Sequence, residues 1–288
     1  MPTFTNQAQL SYNGIITNSN VAVGQIIEVL SVTKTSVLDD YTSGDAVTYI
    51  VNLVNAGTVP FTNLTVEDDL GAYAFQPPTG TPILLYPLTY VADSIHYFQD
   101  GVEQPQPAVA TANGMTITGI GVPANGNTTL IYQARTNEDT PLAPNASITN
   151  TVIVNGTELG APLEASATVT VQNAPYLTIF KSITPREVPV NGQVTYTFDI
   201  QNLGNTATTN ADNVRVLDTF QPILTDITVY YNGAVLPESS YTYSEVTGEF
   251  ATNPGVINVP AATFTQNPVT GEWTSVPGEV TLAITGTI

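Results

Sequence analysis

Three kinds of polar side chain recur in segments that otherwise alternate apolar and polar residues, and together they could do chemistry. The only two lysines of the chain, Lys34 and Lys181, each precede a Val-Thr-Tyr segment by the same spacing (49 − 34 and 196 − 181). Farther along, an aspartate follows Val-x in each half of the chain, at Asp68 and Asp218. An asparagine, Asn150, stands in the segment 148–154.

Strand alternation predicts where these side chains point, because residues two apart share a face of a β-strand. Each polar residue then has apolar neighbours on its own face, as in the following sets: Leu30, Val32 and Lys34; Ile179, Lys181 and Ile183; Val66, Asp68 and Leu70; Val216, Asp218 and Phe220; Ile148, Asn150 and Val152; Phe4, Asn6 and Ala8. A lone buried charge is costly, so we expect Lys, Asp and Asn to meet in the core.

Such a triad could form an amide crosslink. Burial lowers the pKa of a lysine and raises that of an aspartate, by up to ~3–5 units in extreme cases. A neutral amine can attack the carboxamide carbon of asparagine while a protonated aspartate polarises the carbonyl and moves the proton, and ammonia leaves. A fixed geometry supplies an effective molarity of roughly 10⁵ M or more, which makes a slow single exchange possible. The predicted product is a Lys–Asn isopeptide bond that forms once.

An internal repeat indicates two tandem domains. The segments after Lys34 and Lys181 match each other, and segment 122–132 matches segment 259–283. Period-two alternation and frequent Asn-Gly and Asp-Gly turns favour antiparallel β-sandwiches of the immunoglobulin-like kind. We expect an all-β chain with an N-terminal strand and linker at 1–26, a first sandwich at 27–172 and a second at 173–288.

The second repeat ends before an equivalent of strand 148–154, and a copy of that strand stands at the opposite end of the chain. Segment 4–10, with Asn6, resembles segment 148–154, and each is followed by Asn-Gly, at Asn13 and Asn155. By repeat logic, Asn6 pairs with Lys181 and Asp218 of another copy. About 12 residues of linker would reach at most ~40 Å, which disfavours closure onto the same chain.

At these residues the chain resembles the conserved-repeat (domain of unknown function eleven) modules of bacterial surface proteins, which are akin to the isopeptide-forming domains of pilins and adhesins. The resemblance spans nearly the whole chain, twice. It implies an immunoglobulin-like sandwich with the crosslinking lysine on the first strand, asparagine on the last and an acidic catalyst between them. Carried over, these are Lys34, Asn150 and Asp68, and then Lys181 and Asp218 without an asparagine in place.

Composition excludes several functions. With 24 acidic against 5 basic residues and a net charge of −19, nucleic-acid binding and attachment to anionic membranes are disfavoured. The chain has no cysteine and one histidine, His96, so neither a thiol site nor a Ser-His-Asp or zinc site of ordinary ligands is expected. No cofactor or metal is predicted, and no apolar run approaches a membrane span. No signal peptide is visible, although an extracellular or cell- or spore-surface location is expected.

The favoured hypothesis is a structural fibre subunit that polymerises head to tail with itself and is not an enzyme with turnover. A monomeric adhesin or surface stalk is the alternative. Three local alternatives stay open: the lysines could be solubility residues on edge strands, Asp69 could replace Asp68 if the strand were shifted by one residue, and Asn6 could belong to a disordered terminus.

Overall fold

The structure, a computed structural model, describes residues 3–25 and 28–288 and is all-β. Within these residues the only helical pieces are two short 3₁₀ turns, Asn210–Asp212 and Glu238–Ser240. A search of the described residues for an apolar helix of membrane-crossing length finds none. Two separate hydrophobic cores are present, one formed between Leu30 and Val171 and the other between Val194 and Ile284.

The N-terminal residues form an exposed antiparallel hairpin, which we call the N-terminal ribbon. Its strands are β1 (Thr3–Asn6), β2 (Gln9–Tyr12), β3 (Ile15–Asn18) and β4 (Ala22–Gln25), with β1 paired to β4 and β2 to β3. The turn residues Asn13 and Gly14 have φ of 48° and 79°, the conformation that a two-residue hairpin turn requires. The prediction of a linker after the first strand is therefore wrong for residues 15–25, which form β3 and β4 and pair with β2 and β1.

The first sandwich has two six-stranded sheets. One has the order β13-β12-β16-β7-β5, with β11 also on β16, and the other β14-β15-β8-β17-β18-β6. Its strands are β5 (Leu30–Ser36), β6 (Asp40–Tyr41), β7 (Ala46–Asn55), β8 (Phe61–Asp68), β9 (Tyr73–Phe75), β10 (Ile83–Leu85), β11 (Leu88–Tyr90), β12 (His96–Gln99), β13 (Val102–Glu103), β14 (Ala108–Ala110), β15 (Met115–Val122), β16 (Asn127–Thr136), β17 (Ser147–Asn155) and β18 (Leu163–Val171).

The core of this sandwich follows from alternation along its strands. Every second residue of β7, beginning at Val47, is buried, and β16 and β17 follow the same rule. Strands β17 and β18 form a hairpin that closes one side of the core, because β17 pairs with β8 while β18 pairs in parallel with β6. This hairpin positions Asn150 inside the sandwich.

The second sandwich has fewer strands. One sheet has the order β19-β20-β28-β22-β23, and the other has only three strands, β21-β25-β24. The strands are β19 (Leu177–Thr184), β20 (Gln193–Asn202), β21 (Leu217–Thr219), β22 (Thr225–Tyr231), β23 (Ala234–Val235), β24 (Tyr241–Tyr243), β25 (Glu249–Thr252), β26 (Thr263–Gln266), β27 (Trp273–Val276) and β28 (Gly278–Thr287).

The second sandwich is open where the first is closed. Strand β21 corresponds to β8, and among the described residues its only ladder partner is β25, whereas β8 pairs with β15 and also with β17. The face of β19 that the sequence predicts to lie in the core is accordingly uncovered: Ile179 is 53% exposed. We call this face, with the free edge of β21, the open groove.

A hairpin of the second sandwich packs on the first. Strands β26 and β27 pair with each other, and Phe264 on β26 contacts the first hydrophobic core. The amide of Trp273 donates to the carbonyl of Glu138 at 2.7 Å. The side-chain nitrogen of Gln266 lies 3.3 Å from the hydroxyl of Tyr73. The two sandwiches are therefore joined by side-to-side contacts as well as by the chain between them.

Candidate crosslinking site

The residues that the sequence singles out in the first sandwich come from three strands. Lys34 lies on β5, Asp68 is the last residue of β8, and Asn150 lies in the middle of β17. Alternation turns all three side chains inward, and their residues are 5%, 3% and 0% exposed. The prediction that these polar residues lie among core side chains is confirmed for all three.

Lys34 and Asp68 form a buried ion pair. The ammonium Nζ of Lys34 lies 2.7 Å from Oδ2 of Asp68, and both side chains are fully buried. The same oxygen also accepts a hydrogen bond from the hydroxyl of Tyr132, while Oδ1 accepts one from the amide of Leu70 at 2.8 Å. The carboxylate is thereby held on both oxygens and aimed at the lysine.

Two tyrosines enclose the lysine. Nζ of Lys34 lies 4.9 Å from the ring centroid of Tyr49 and 5.9 Å from that of Tyr132. The two rings are stacked, with centroids 5.8 Å apart, since the two residues are directly opposite each other on β7 and β16. The rings exclude water from the amine.

Burial changes the protonation of this cluster. Desolvation lowers the pKa of Lys34, and the negative charge of Asp68 opposes that shift without cancelling it. Desolvation likewise raises the pKa of both tyrosines, with the charge of Asp68 adding to the effect. Proton loss from the lysine, the step that turns an ammonium into a nucleophile, is therefore favoured relative to an exposed lysine.

Asn150 presents a buried carboxamide without a hydrogen-bond partner. Neither its oxygen nor its nitrogen makes a hydrogen bond of normal geometry in the part of the chain that the structure describes. The amide is nevertheless close enough to the hydroxyls of Tyr49 and Tyr132 to lower their pKa slightly against the larger effect of burial. An unsatisfied buried amide costs about 1–3 kcal/mol, so its presence here calls for a functional explanation.

Asp69 has a different task from Asp68. Its carboxylate accepts hydrogen bonds from the amides of Gly71 at 2.8 Å and Thr151 at 2.9 Å, and its own amide donates to the carbonyl of Thr151 at 3.0 Å. These bonds fix β17 at the residue after Asn150. The alternative in which Asp69 faces the lysine is thus wrong, because alternation directs its side chain toward the backbone of β17.

The second sandwich repeats only part of this cluster. Nζ of Lys181 lies 2.5 Å from Oδ2 of Asp218, but the lysine side chain is 41% exposed. The rings of Tyr196, Phe198 and Phe220 lie within 4.7–5.5 Å of its ammonium. Lysine and aspartate are brought together, as predicted, while the side that Asn150 covers in the first sandwich remains open.

Asn6 lies in the N-terminal ribbon and is exposed. It is directly opposite Ala22 on β4, and its side chain makes no ion-pair or hydrogen-bond contact with Lys181 or Asp218 in the described structure. Within one chain, Asn6 is therefore not part of the second cluster. It is also not a disordered terminus, since it belongs to a paired strand.

The tyrosines are the residues whose role sequence reasoning missed. The hydroxyl of Tyr132 contacts the catalytic candidate Asp68. The signal that could have found Tyr49 is its position, because Tyr196 follows Lys181 by the same interval. No such signal exists for Tyr132, since Ile284 occupies the corresponding position opposite Tyr196.

The single histidine of the chain lies outside this site. His96 contacts Glu103 at 2.9 Å on the surface, where both side chains are more than half exposed. Over residues 3–25 and 28–288, no group of three histidine or acidic side chains is arranged to hold a metal ion.

Comparison with known proteins gives likenesses of fold. No family model and no curated protein matches the chain. Among solved structures, the major pilin subunit of Bacillus cereus, BcpA, is similar over 96% of this chain and 73% of that one, with 11% identity and a TM-score of 0.36. The collagen-binding domain of a Staphylococcus aureus adhesin is similar over 52% of this chain and all of its own length, with 15% identity and a TM-score of 0.30.

A family 123 glycoside hydrolase from Clostridium perfringens is also similar, over 50% of this chain, with 11% identity and a TM-score of 0.29. This chain spans 28% of the length of that hydrolase. A pilin, an adhesin and a hydrolase all stand among these similar structures, so function has to be derived from the site itself.

Proposed function

We propose that the protein is the structural subunit of an extracellular or cell- or spore-surface fibre that polymerises head to tail with itself. The N-terminal strand of one copy completes the second sandwich of the next by β-strand addition. A Lys34–Asn150 isopeptide bond strengthens each subunit, and an Asn6–Lys181 bond joins neighbouring subunits. Because such a heterologous contact does not close on itself, it produces a filament.

The contrast between the two clusters carries this proposal. In the first sandwich, lysine and aspartate are sealed by a strand that bears an asparagine, and all three residues are buried. In the second, the same lysine–aspartate pair lies in the open groove. The strand that would fill the groove by repeat logic is the exposed β1, which carries Asn6.

The chemistry is a single amide exchange. The amine nitrogen of Lys34 or Lys181 bonds to the side-chain carbonyl carbon of asparagine, and the C–N bond of the carboxamide breaks. The aspartate accepts a proton from the attacking nitrogen and delivers it to the departing one, so ammonia leaves and no charge is created overall. Each site reacts once and needs no cofactor, so the protein is not an enzyme with turnover.

Denaturing gel electrophoresis of the boiled protein tests the proposal. We expect a ladder of heat-resistant multimers that grows with protein concentration, as a reaction between copies requires. Lys181→Met and Asn6→Ala should each remove the ladder, as should deletion of residues 1–14. Lys34→Met is the matched control, because it removes the other lysine and should leave the ladder in place.

A single monomeric band at all concentrations would contradict covalent polymerisation. A native monomer that also fails to form filaments under the electron microscope would contradict the fibre altogether. The monomeric adhesin or stalk would then be the better description.

A further inference from the structure

The hairpin that closes the first sandwich uses both of its strands. Strand β17 supplies buried Ile148, Asn150 and Val152, while β18 supplies buried Ala167 and Val169. Strand β18 also pairs in parallel with β6, where Thr170 and Val171 are opposite Asp40 and Tyr41. The core is therefore completed by a two-stranded unit and not by the asparagine strand alone.

The second sandwich has a free position for each of these strands. One edge of β21 is available, as described above. The segment Glu187-Val188 stands at the interval after Lys181 that Asp40-Tyr41 has after Lys34 (188 − 181 and 41 − 34). No backbone hydrogen bond involves Glu187 or Val188 among the described residues.

Over β1 and β4, the N-terminal ribbon has the same internal register as the β17–β18 hairpin, while the β2–β3 part of the ribbon is shifted by one residue. Asn6 is opposite Ala22, as Asn150 is opposite Ala167. One step outward on the same face, Phe4 is opposite Gly24, as Ile148 is opposite Val169.

Phe4 and Gly24 correspond to Ile148 and Val169 of the first sandwich. Two residues of similar size are thus replaced by one large and one very small residue. The ring of Phe4 lies over Gly24 so closely that a β-carbon there would be 2.2 Å from the ring. The ribbon thus carries its aromatic ring already folded over its second strand.

Charge also favours insertion into another copy. The chain has a net charge of −19, yet residues 3–25 contain no charged side chain. Several apolar residues of the ribbon are more than half exposed, including Phe4 at 57% and Leu10 at 64%. An uncharged ribbon can enter an acidic neighbour without repulsion, and insertion removes its exposed apolar side chains from water.

From these observations we infer that the second sandwich of a neighbouring copy receives the whole N-terminal ribbon, both strands together. Strand β1 and the two residues after it lie antiparallel to β21, with Ala8 opposite Asp218, as Val152 is opposite Asp68. Strand β4 lies parallel to Glu187-Val188, with Gln25 beside Glu187. This inference rests on the proposed function and adds a second, separate contact to it.

A paired-variant assay isolates one joint. A Lys181→Met chain can contribute only Asn6 to the bond between copies, and an Asn6→Ala chain can contribute only Lys181. Their mixture should therefore form a covalent dimer and no longer multimers on a denaturing gel. In the Lys181→Met chain, Ala22→Arg should reduce the initial rate of dimer formation at least 10-fold, because position 22 faces inward like buried Ala167. Val23→Arg is the matched control, since it adds the same charge at the position of exposed Thr168, and it should leave the rate within about 2-fold.

A disulfide trap gives a readout that does not depend on the isopeptide bond, since the chain has no cysteine of its own. Gln25→Cys in one chain and Glu187→Cys in the other should give an oxidised dimer. Gln25→Cys with Asp199→Cys, at an exposed residue of β20, should not.

The outcomes separate the two proposals. An isopeptide dimer that tolerates Ala22→Arg, with no Gln25–Glu187 disulfide, would overturn docking of the ribbon and leave single-strand addition standing. Absence of the isopeptide dimer when Ala22 is unchanged, together with absence of the Gln25–Glu187 disulfide, would overturn both proposals.

Discussion

The hydroxyl of Tyr132 donates a hydrogen bond to Oδ2 of Asp68, the same oxygen that accepts a hydrogen bond from Nζ of Lys34. The carboxylate must pass a proton between two nitrogens if the proposed exchange occurs, and this hydroxyl helps to hold it in place. In the second sandwich Ile284 takes the corresponding position, so the aspartate there lacks this support.

Tyr132→Phe should slow the intramolecular crosslink without preventing folding. Hydrogen bonds to charged groups contribute about 1.5–3 kcal/mol, so the rate should fall about 10-fold or more. The measurement is the fraction of chains that have lost one ammonia at fixed times after synthesis, by intact mass. Tyr41→Phe is the control, because Tyr41 is equally buried but donates to the carbonyl of Pro141; an equal effect of both variants would remove the positioning role of Tyr132.

The mature monomer should be lighter than its sequence by one ammonia. Three substitutions should each restore the full mass. Lys34→Met removes the attacking amine, Asn150→Ala removes the carboxamide that is attacked, and Asp68→Asn removes the carboxylate that moves the proton. Lys181→Met should retain the lower mass, because the second cluster takes no part in this bond. Peptide mapping should find the modified pair at Lys34 and Asn150, and a full-mass wild-type monomer would refute the intramolecular bond.

Removing Asp68 from an uncrosslinked chain should destabilise the first sandwich. In an Asn150→Ala background the ion pair persists, and Asp68→Leu then leaves Lys34 without a buried partner, at a cost of about 3–5 kcal/mol. Adding Lys34→Met should recover most of this loss. The control is Asp218→Leu, which should lower the free energy of unfolding by no more than about 1 kcal/mol because its partner Lys181 is substantially exposed. The measurement is calorimetric unfolding of the Asn150→Ala chain and of the three variants made in it.

Stability of the first sandwich should fall steeply in alkali. Burial raises the pKa of Tyr41, Tyr49 and Tyr132, so above pH 10 the unfolded chain loses these protons while the folded chain retains them. The unfolded state then binds fewer protons, and the free energy of unfolding declines by about 1.4 kcal/mol per pH unit for each such tyrosine. In an Asn150→Ala chain, the part of the tyrosinate absorbance that comes from these three buried tyrosines should appear together with the change in circular dichroism; their ionisation well before unfolding would contradict the assignment.

The sequence allowed the first cluster to be predicted because two independent regularities coincide there. Alternation places Lys34, Asp68 and Asn150 on inward faces, and the repeat shows that Lys181 and Asp218 hold equivalent positions. Exposure of Lys181 could not be read from alternation, since the period of a strand defines a face but not what covers it. The pairing of residues 15–25 with residues 3–12 could not be predicted with the same certainty as the cluster. The chain reverses at Asn13-Gly14, and the same dipeptide also occurs in many loops that do not join paired strands.

The packing of β26 and β27 against the first sandwich was invisible to the repeat, because the first repeat has no counterpart of these residues. Trp273 contacts the other sandwich through its backbone amide, Gln266 through its side-chain amide and Phe264 through its ring. Such contacts resist bending and torsion between the two halves of a subunit. In a filament, curvature and twist would then accumulate mainly where one copy meets the next, once per whole subunit, so the geometry of that joint would set the pitch of the fibre.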